Sequence, residues 1–202
     1  MVQPSVYSRL QIIEAAFKLV REQGWGAVST RAIAKELGSS TMPIYSHVQS
    51  VEELEKELHI KARTLLKDFQ RRMYTQHTLL NLAFGYVAFA RDEKNLFRFL
   101  YLERPNRINM EDISAVKEWF FAEFGEQGGE AKALLELQAS GQEALVGYTW
   151  IFTHGLAVLV NSGALGRCSD EDILDFLMNA GEAFYLWGNE KGGVSFGKDS
   201  EK

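Results

Sequence analysis

Residues 29–48 have the sequence STRAIAKELGSSTMPIYSHV, and this stretch decides the fold. Ser29 or Thr30 can cap a short helix, because a hydroxyl accepts hydrogen bonds from the unpaired N–H groups at a helix start. Gly38 follows, and glycine adopts turn conformations that other residues avoid. A second short helix then begins with Pro43 in its first turn, where the missing N–H costs little. The order of helix, tight glycine turn and helix predicts a helix-turn-helix.

The outward face of the second short helix carries no acidic residue. Its residues are Ser40, Thr41, Met42, Pro43, Ser46 and His47. Short hydroxyl and methyl groups can meet phosphates, base edges or thymine methyls in a major groove. Arg31, early in the preceding helix, can reach a guanine or a phosphate. Spacing also fits a purely structural helix pair, since such turns are common in all-α proteins, so both interpretations stay open at this point.

Apolar residues at helical spacing flank the motif on both sides. A first helix is predicted over residues 8–23, ended by Gly24, and its stripe consists of Leu10, Ile13, Phe17 and Val20. After the motif, Ser50 and Glu53 form a capping-box pattern. They predict the start of a helix of about 25 residues, unusually long for a globular protein. Its stripe consists of Leu54, Leu58, Ala62, Leu65, Phe69 and Met73.

Helical periodicity continues through the rest of the chain. The predicted segments lie near 79–91, 94–102, 111–124, 130–163 and 170–187. Ser169, followed by three acidic residues, predicts the cap of the last segment. The fold class is therefore all-α, with a three-helix helix-turn-helix domain over 1–50 (motif about 29–48), a helical body over 51–190 and a flexible tail over 191–202.

Charge is distributed unevenly along the chain. The 202 residues carry a net charge of −5, which as a total argues against a nucleic-acid partner. Residues 1–72, however, hold 11 basic and 8 acidic residues, a net +3, whereas residues 73–202 hold 11 and 19, a net −8. The single cysteine, Cys168, excludes an intramolecular disulfide framework. A mildly basic head on an acidic body is compatible with DNA at one end.

One stretch tests the possibility of a membrane span. Residues 144–166 contain no formal charge, and their length would admit a spanning helix. The stretch also contains two threonines, a histidine, an asparagine, a serine and four glycines, and no basic cluster flanks it. We therefore expect a buried helix and no membrane partner.

The stretch from about Leu10 to Leu58 resembles the DNA-binding domain of TetR/AcrR-family transcription regulators. The residues that carry the resemblance are IIEAAFKLVREQGWGAVSTRAIAKELGSSTMPIYSHVQSVEEL. The Ala-Ala pair of the first helix, the glycine after it, Ser-Thr-Arg, Ile-Ala, Leu-Gly and Ile-Tyr-x-His-Val all occur at the spacing of that family. The resemblance implies that double-stranded DNA is the partner of this domain.

The resemblance also implies residue roles. Ser29, Thr30 and Arg31 would contact the DNA backbone or bases, and Tyr45 and His47 would contact phosphates. The base-reading surface would consist of Ser40, Thr41, Met42, Pro43 and Ser46. Three positions depart from the family pattern. Ser39 stands where an apolar residue is usual, Pro43 replaces a Gly, Ala or Thr, and Val51 replaces a lysine that grips phosphate.

In TetR-like proteins the C-terminal helices hold a ligand pocket and a dimer interface. Trp150, His154 and Gly155, with LFRFLY at 96–101, resemble the subgroup named for the letters Trp-His-Gly. The candidate ligand-binding residues are Phe84, Phe89, Phe97, Tyr101, Trp119, Phe120, Trp150 and His154, although aromatic residues are more often simply core. The candidate dimer interface consists of Gly147, Ile151, Gly155, Val158, Ser162, Ile173, Phe176, Leu177, Ala180, Phe184 and Trp187.

The function expected from these features is that of a ligand-responsive repressor. It would bind a palindromic operator as a homodimer and be released by a small apolar or amphipathic effector. The sequence contains no HExxH, GxSxG or phosphate-loop motif, and we expect no metal, no cofactor and no enzymatic activity. No signal-peptide pattern precedes the first helix, so a cytoplasmic location is expected. The alternatives are an architectural or partner-recruiting DNA-binding protein of the same fold and, less favoured, an all-α enzyme.

Overall fold

The regular elements of the chain are helices throughout the part that the structure describes. The computed structural model describes residues 7–48, 50–103 and 134–191, together with Glu118 and Ala122. Its α-helices are α1 (Arg9–Gln23), α2 (Thr30–Glu36), α3 (Met42–His47), α4 (Val51–Gln70), α5 (Thr78–Asp92), α6 (Lys94–Arg98), α7 (Ala139–Ser162) and α8 (Asp170–Lys191). A 3-10 turn covers Trp25–Ala27, and a π-helical turn covers Phe99–Glu103. The predicted all-α class is confirmed.

The described residues form two compact units. The first consists of residues 7–68 and 92–103, and the second consists of residues 69–91 and 134–191. Most of the predicted segment 111–124 and most of the predicted tail lie outside the described residues.

Helix α1 begins and ends as predicted, and its buried face matches the predicted stripe only in part. Ser8 caps it in a capping box with Gln11, and Gly24 ends it with a φ of 85°. The predicted stripe was wrong at Leu10, which is 65% exposed, and its place is taken by Ile12, which is fully buried. The buried residues are Ile12, Ala15, Ala16, Phe17, Leu19 and Val20, so Phe17 and Val20 of the predicted stripe are buried as expected. The two alanines let neighbouring helices approach on that side, an effect that a count of large apolar residues misses.

The first unit packs around α1. Helices α2 and α3 contact α1 and each other, and Ile33 and Ile44 are each 1% exposed in the small core they share. Ion pairs reinforce this packing, since Lys18 of α1 binds Glu36 of α2 at 2.5 Å and Lys61 of α4 binds Glu14 of α1 at 2.6 Å.

The C-terminal end of α1 is joined to the segment 92–103. Arg21 forms an ion pair with the buried Glu93, and its main-chain carbonyl accepts a hydrogen bond of 3.0 Å from Asn95 Nδ2. Just after α1, the Trp25 ring stacks on Phe99 with the ring centroids 5.1 Å apart. The segment 92–103 therefore belongs to the same compact unit as the helix-turn-helix.

Helix α4 is 20 residues long, shorter than predicted. Its start is as expected, because Ser50 Oγ accepts a hydrogen bond from the Glu53 amide at 3.1 Å. It ends at Gln70, so Met73 lies beyond it and is exposed. Leu66 is buried on its inner face, whereas Leu65 is half-buried.

A residue from α5 stabilises the chain that follows α4. Asn81 Oδ1 accepts hydrogen bonds from the amides of Tyr74 and Thr75 at 3.2 and 2.7 Å, and Asn81 Nδ2 donates to the Thr75 carbonyl at 3.0 Å. Gly85 lies against the last turn of α4, where an added Cβ would be 2.4 Å from the Phe69 carbonyl oxygen. This close approach requires glycine.

In the second unit, α7 and α8 pack along each other. Gly141 and Gly188 allow this contact, because a Cβ on Gly141 would lie 3.1 Å from the Gly188 carbonyl oxygen. The predicted continuous helix over 130–163 was wrong, since the chain leaves helical conformation at 137–138 before α7 begins. The predicted cap of α8 is confirmed by Ser169, which exchanges hydrogen bonds with Asp172 and lowers the pKa of that carboxyl.

Helix α7 is the one described helix that is long and apolar enough to cross a membrane, a test that the core helix of a soluble protein also passes. Only 33% of its most apolar stretch is buried inside the chain. The burial predicted for this helix is therefore met only in part within the described residues of the chain.

A buried histidine without hydrogen-bond partners lies in the first unit. His59 on α4 is 6% exposed, and neither ring nitrogen has a hydrogen-bond partner. Its ring packs on Phe99 with the centroids 4.4 Å apart, and Glu55 Oε1 is 3.9 Å from Nε2. Burial lowers the pKa of His59, and the nearby Arg63 lowers it further. Folding therefore favours the neutral imidazole.

We predict that His59 makes the protein less stable in mild acid. As the pH falls below about 6.5, the ordinary histidine pKa, the unfolded chain takes up a proton that the folded protein resists. The unfolding free energy should therefore fall between pH 7 and about pH 5, and less steeply in His59→Leu. Urea unfolding at several pH values measures this, with the exposed His77→Gln as the control. Parallel pH profiles for wild type and His59→Leu would refute it.

Candidate functional site

The turn between α2 and α3 is built around Gly38. Helix α2 begins where Ser29 Oγ accepts a hydrogen bond of 3.1 Å from the Ala32 amide, which confirms the predicted cap. Helix α2 ends in a turn in which the Ser39 amide donates to the Ala34 carbonyl at 2.8 Å and Gly38 has a φ of 63°. A Cβ would be strained in that left-handed conformation, so the glycine sets the direction in which α3 leaves α2.

Helix α3, which we call the recognition helix, has one anchored side and one exposed side. Ile44 is buried, whereas Met42 and Tyr45 are 78% and 63% exposed. Of the other predicted DNA-facing residues, Ser40 and Ser46 are exposed and Thr41 and His47 are half-buried. Pro43 lies in the first turn of the helix, as predicted, and its side chain is not among the described ones.

The start of α2 lies beside the recognition helix. Ser29 and Arg31 are exposed and Thr30 is half-buried. The Thr30 and Tyr45 hydroxyl oxygens are 3.3 Å apart and form a hydrogen bond. The structure thus brings the start of α2 together with the exposed side of α3 in one patch, which we call the α2–α3 surface. Its members are Ser29, Thr30, Arg31, Ser40, Thr41, Met42, Tyr45, Ser46 and His47.

Arg31 gives the α2–α3 surface a positive charge, and the surface includes no carboxylate. The acidic residue of α2, Glu36, is paired with Lys18. Glu53 and Glu57 in the first two turns of α4 are paired with Arg9 at 2.8 and 3.2 Å. An exposed surface of hydroxyls, methyls, an imidazole and a guanidinium is chemically suited to a DNA groove and its phosphates.

Comparison with known proteins gives this helix-turn-helix a family. A family model described as bacterial regulatory proteins, tetR family, matches residues 12–58. This N-terminal domain belongs to the TetR family. The uncharacterized HTH-type transcriptional regulator YobS of Bacillus subtilis is 25% identical over 175 residues, 82% of this chain and 84% of that protein. An uncharacterized HTH-type transcriptional regulator of Mycobacterium tuberculosis, Rv0681, is 31% identical over 61 residues, 30% of this chain and 28% of that protein.

One departure of this TetR-family domain from the family pattern is visible in the structure. Val51, at the position where a lysine is usual, begins α4 and is exposed. The first residue of α4 therefore exposes an apolar side chain rather than a charged one.

Sequence analysis missed the residue that joins α1 to the recognition helix. Arg9 Nη1 donates to the main-chain carbonyl of His47 at 2.8 Å, in addition to its pairs with Glu53 and Glu57. The hydrogen bonds that Arg9 donates to Glu53, and then to Glu57, raise the pKa of Arg9. A signal was present, because a cation in the first turn of a helix opposes the helix dipole and so suggests an acidic partner elsewhere.

Tyr7 makes a second contact of this kind. Its hydroxyl donates to the Leu37 carbonyl at 2.6 Å, at the end of α2. No periodic pattern includes Tyr7, which precedes the cap of α1, so the sequence carried no signal for it.

In the second unit, Tyr86, Trp150 and His154 form a polar and aromatic cluster. The Tyr86 hydroxyl and His154 Nδ1 share a hydrogen bond of 2.9 Å. The Trp150 ring stacks on His154 with the centroids 5.3 Å apart and the planes 5° apart. Burial lowers the pKa of His154. Nearby in sequence, the Thr153 hydroxyl is buried without a hydrogen-bond partner. Tyr86 was missed, although its hydroxyl stands out on the apolar helix α5.

The other candidate ligand residues are placed separately. Phe84 and Phe89 are buried in the second unit, against Tyr74 and Phe69 respectively. Phe97 and Tyr101 belong to the first unit and contact each other at 5.2 Å between centroids. Trp119 and Phe120 lie outside the described residues. The assignment to the Trp-His-Gly subgroup stays a prediction.

The candidate dimer residues of α7 and α8 divide by burial. Ile151, Gly155, Ser162 and Phe176 are exposed, and Val158, Ala180, Phe184 and Trp187 are half-buried. Gly147, Ile173 and Leu177 are buried inside the subunit. Three large apolar residues that the sequence analysis did not select, Leu159, Met178 and Leu186, are also exposed on these two helices.

Proposed function

We propose that this chain is a ligand-responsive DNA-binding transcriptional regulator that acts as a repressor. The observation that carries the proposal is the α2–α3 surface, an exposed patch without carboxylates on a TetR-family helix-turn-helix. Both relatives are named as HTH-type transcriptional regulators, which supports the same activity. A regulator that works by binding DNA and an effector needs no catalytic residues, so we propose no enzymatic activity.

The recognition helix is proposed to lie in a major groove. Met42, Thr41 and Ser46 would then face base edges, while Tyr45 and His47 would bind phosphates. A two-fold dimer would read a palindromic operator whose half-sites are about 34–36 Å apart. In the family a lysine that binds phosphate is usual at the position of Val51. We therefore expect the slope of the logarithm of affinity against the logarithm of salt concentration to be smaller by roughly one unit than with that lysine.

The dimer is proposed to form through the exposed parts of α7 and α8. Ile151 and Phe176 are 50% and 49% exposed, and Gly155 has open space above it. A second copy would cover these residues, whereas lipid would also meet the exposed acidic residues Asp175 and Glu182 of α8. We therefore favour a second copy over a membrane. The proposed interface consists of Ile151, Gly155, Val158, Ser162, Phe176, Ala180, Phe184 and Trp187, while Gly147, Ile173 and Leu177 pack within the subunit.

The effector is proposed to bind beside Tyr86, Trp150 and His154. The stacked rings supply apolar area, and the Tyr86–His154 hydrogen bond supplies a polar anchor, which together suit a small apolar or amphipathic molecule. Helix α4 begins after the recognition helix and continues into residues 69–70 of the second unit, so it is the proposed lever. A coupling of about 1–3 kcal/mol would reduce operator affinity roughly 5–150-fold.

The proposed organisation assigns DNA binding to residues 1–50 and regulation and dimerisation to residues 51–190, with a tail over 191–202. The proposed location is the cytoplasm, where the operator DNA of a bacterial regulator lies.

Variants of the recognition helix test DNA binding. Tyr45→Ala should weaken binding to all duplexes about fivefold, because it removes one phosphate hydrogen bond of about 1 kcal/mol. Met42→Ala and Thr41→Ala should instead change sequence preference. Fluorescence anisotropy with the DNA upstream of its own gene and with a random duplex library measures both effects. Leu10→Ala, at an exposed position of α1, is the control. Unchanged affinity in Tyr45→Ala would contradict the assigned phosphate contact.

Sedimentation equilibrium tests the dimer. The wild type should be dimeric at micromolar concentration, and Phe176→Glu or Ile151→Glu should be monomeric, because a buried unpaired carboxylate opposes association. Leu135→Glu is the matched control, since Leu135 is equally exposed but lies outside α7 and α8. A monomeric wild type would exclude the proposed interface.

Release of labelled DNA by a panel of small amphipathic compounds tests the effector site. For any compound that releases DNA, His154→Leu should raise the concentration required about tenfold, since it removes the polar anchor. Its DNA affinity without compound should equal that of wild type. Tyr148→Phe, also on α7, is the control. If His154→Leu responds as wild type does, the effector binds elsewhere.

A further inference from the structure

One side chain connects α1, the end of the recognition helix and the start of α4. The guanidinium of Arg9 donates to the His47 carbonyl and to two carboxylates of α4. A planar guanidinium has five N–H donors in fixed directions, so it can hold several acceptors in one arrangement. A lysine could supply the charge but not this geometry.

The carbonyl that Arg9 binds marks the end of the recognition helix. His47 is the last residue of α3, and the chain leaves in an extended conformation at Val48, with φ −122° and ψ 108°. Carbonyls at the end of a helix have no partner within it, and in a helix of six residues they are a large share of the total. The bond from Arg9 therefore fixes the peptide unit at which α3 ends, close to the side chains of Tyr45 and His47.

The two carboxylates serve as supports for this bond. Glu53 and Glu57 are four residues apart on α4 and lie on the same side of that helix. Both carboxylates accept hydrogen bonds from the guanidinium. Its Nη1 contacts Glu53 and also donates to the His47 carbonyl.

We propose that Arg9 is a positioning residue for DNA recognition, which orients the recognition helix through the main-chain carbonyl of His47 rather than by contacting DNA. This inference rests on the proposed function, since it assigns the means by which the same surface is held for binding.

The first test compares two ion pairs of α1 by substitution. Arg9→Gln should bind the upstream duplex of its own gene about tenfold more weakly, the loss expected for a charge-assisted hydrogen bond. Lys61→Gln is the matched control, because Lys61 also joins α4 to α1, through Glu14, and its ion pair does not include α3. It should bind within about twofold of wild type. Both are measured below their unfolding temperatures, so that loss of folding is not counted as loss of affinity.

The second test distinguishes two effects of losing Arg9: the loss of its hold on α3, and the loss of its positive charge beside two carboxylates that would then repel DNA. In the double variant Glu53→Gln with Glu57→Gln, the amide oxygens can still accept hydrogen bonds from the Arg9 guanidinium. The bond from Arg9 to His47 is then kept, and this double variant should bind nearly as wild type does. The triple variant that also carries Arg9→Gln should again bind DNA about tenfold more weakly than wild type. If the triple variant instead binds as wild type, the two carboxylates repel DNA and positioning is excluded. Arg9→Lys should recover only part of the affinity, and full recovery would also exclude the proposed geometry.

A third measurement needs no DNA. The Val48 amide donates to the Ile44 carbonyl at 2.9 Å at the end of α3. Its hydrogen exchange should be faster in Arg9→Gln and unchanged in Lys61→Gln. Equal exchange in all proteins would overturn the inference. If wild type failed to bind DNA while exchange responded as expected, the proposed function would fail and the positioning of α3 would stand.

Discussion

Helices of seven and six residues are too short to persist in water unless other elements hold them, and α2 and α3 have these lengths. Helix α1 supplies what they lack. Its buried face includes Ala15 and Ala16, whose small side chains let the neighbouring helices approach. Its polar residues hold the ends of both short helices, since Lys18 pairs with Glu36 and Arg9 binds the His47 carbonyl. The α2–α3 surface keeps its shape because its supports lie outside it.

In the second unit, close contacts between helix backbones determine how the helices pack. Gly85 lies directly on the carbonyl oxygen of Phe69, and Gly141 lies next to the carbonyl oxygen of Gly188. Side chains at either place would push the helices apart by several tenths of an ångström or more. These two helix contacts thus depend on an absent side chain rather than on a large apolar one.

The sequence predicted what depends on neighbouring residues. The helix-turn-helix, its glycine and the caps at Ser29, Ser50 and Ser169 have local causes, and the structure places them where the patterns indicated. Features with distant causes were missed or misplaced. The partners of Arg9 lie 38 to 48 residues away, and the tyrosine that binds His154 lies 68 residues away. The turn after α4 is held by Asn81 from the next helix, and no property of residues 51–75 announces that contact.

The contacts of α1 also bear on how a signal could reach the recognition helix. At about 1.5 Å per residue, its 15 residues span roughly 22 Å. Near its C-terminal end, Arg21 binds Glu93 and Trp25 stacks on Phe99, and at its N-terminal end Arg9 binds the last carbonyl of α3. Because α1 is one continuous helix with contacts at both ends, a displacement of residues 92–103 would be transmitted along it. This route would act in parallel with the proposed lever α4. Helices α1 and α4 meet at Arg9, and together they constrain the orientation of the recognition helix more tightly than either helix would alone. The proposed effector would have to move both, and its difference in affinity for the two arrangements would limit how far it could shift the equilibrium between them.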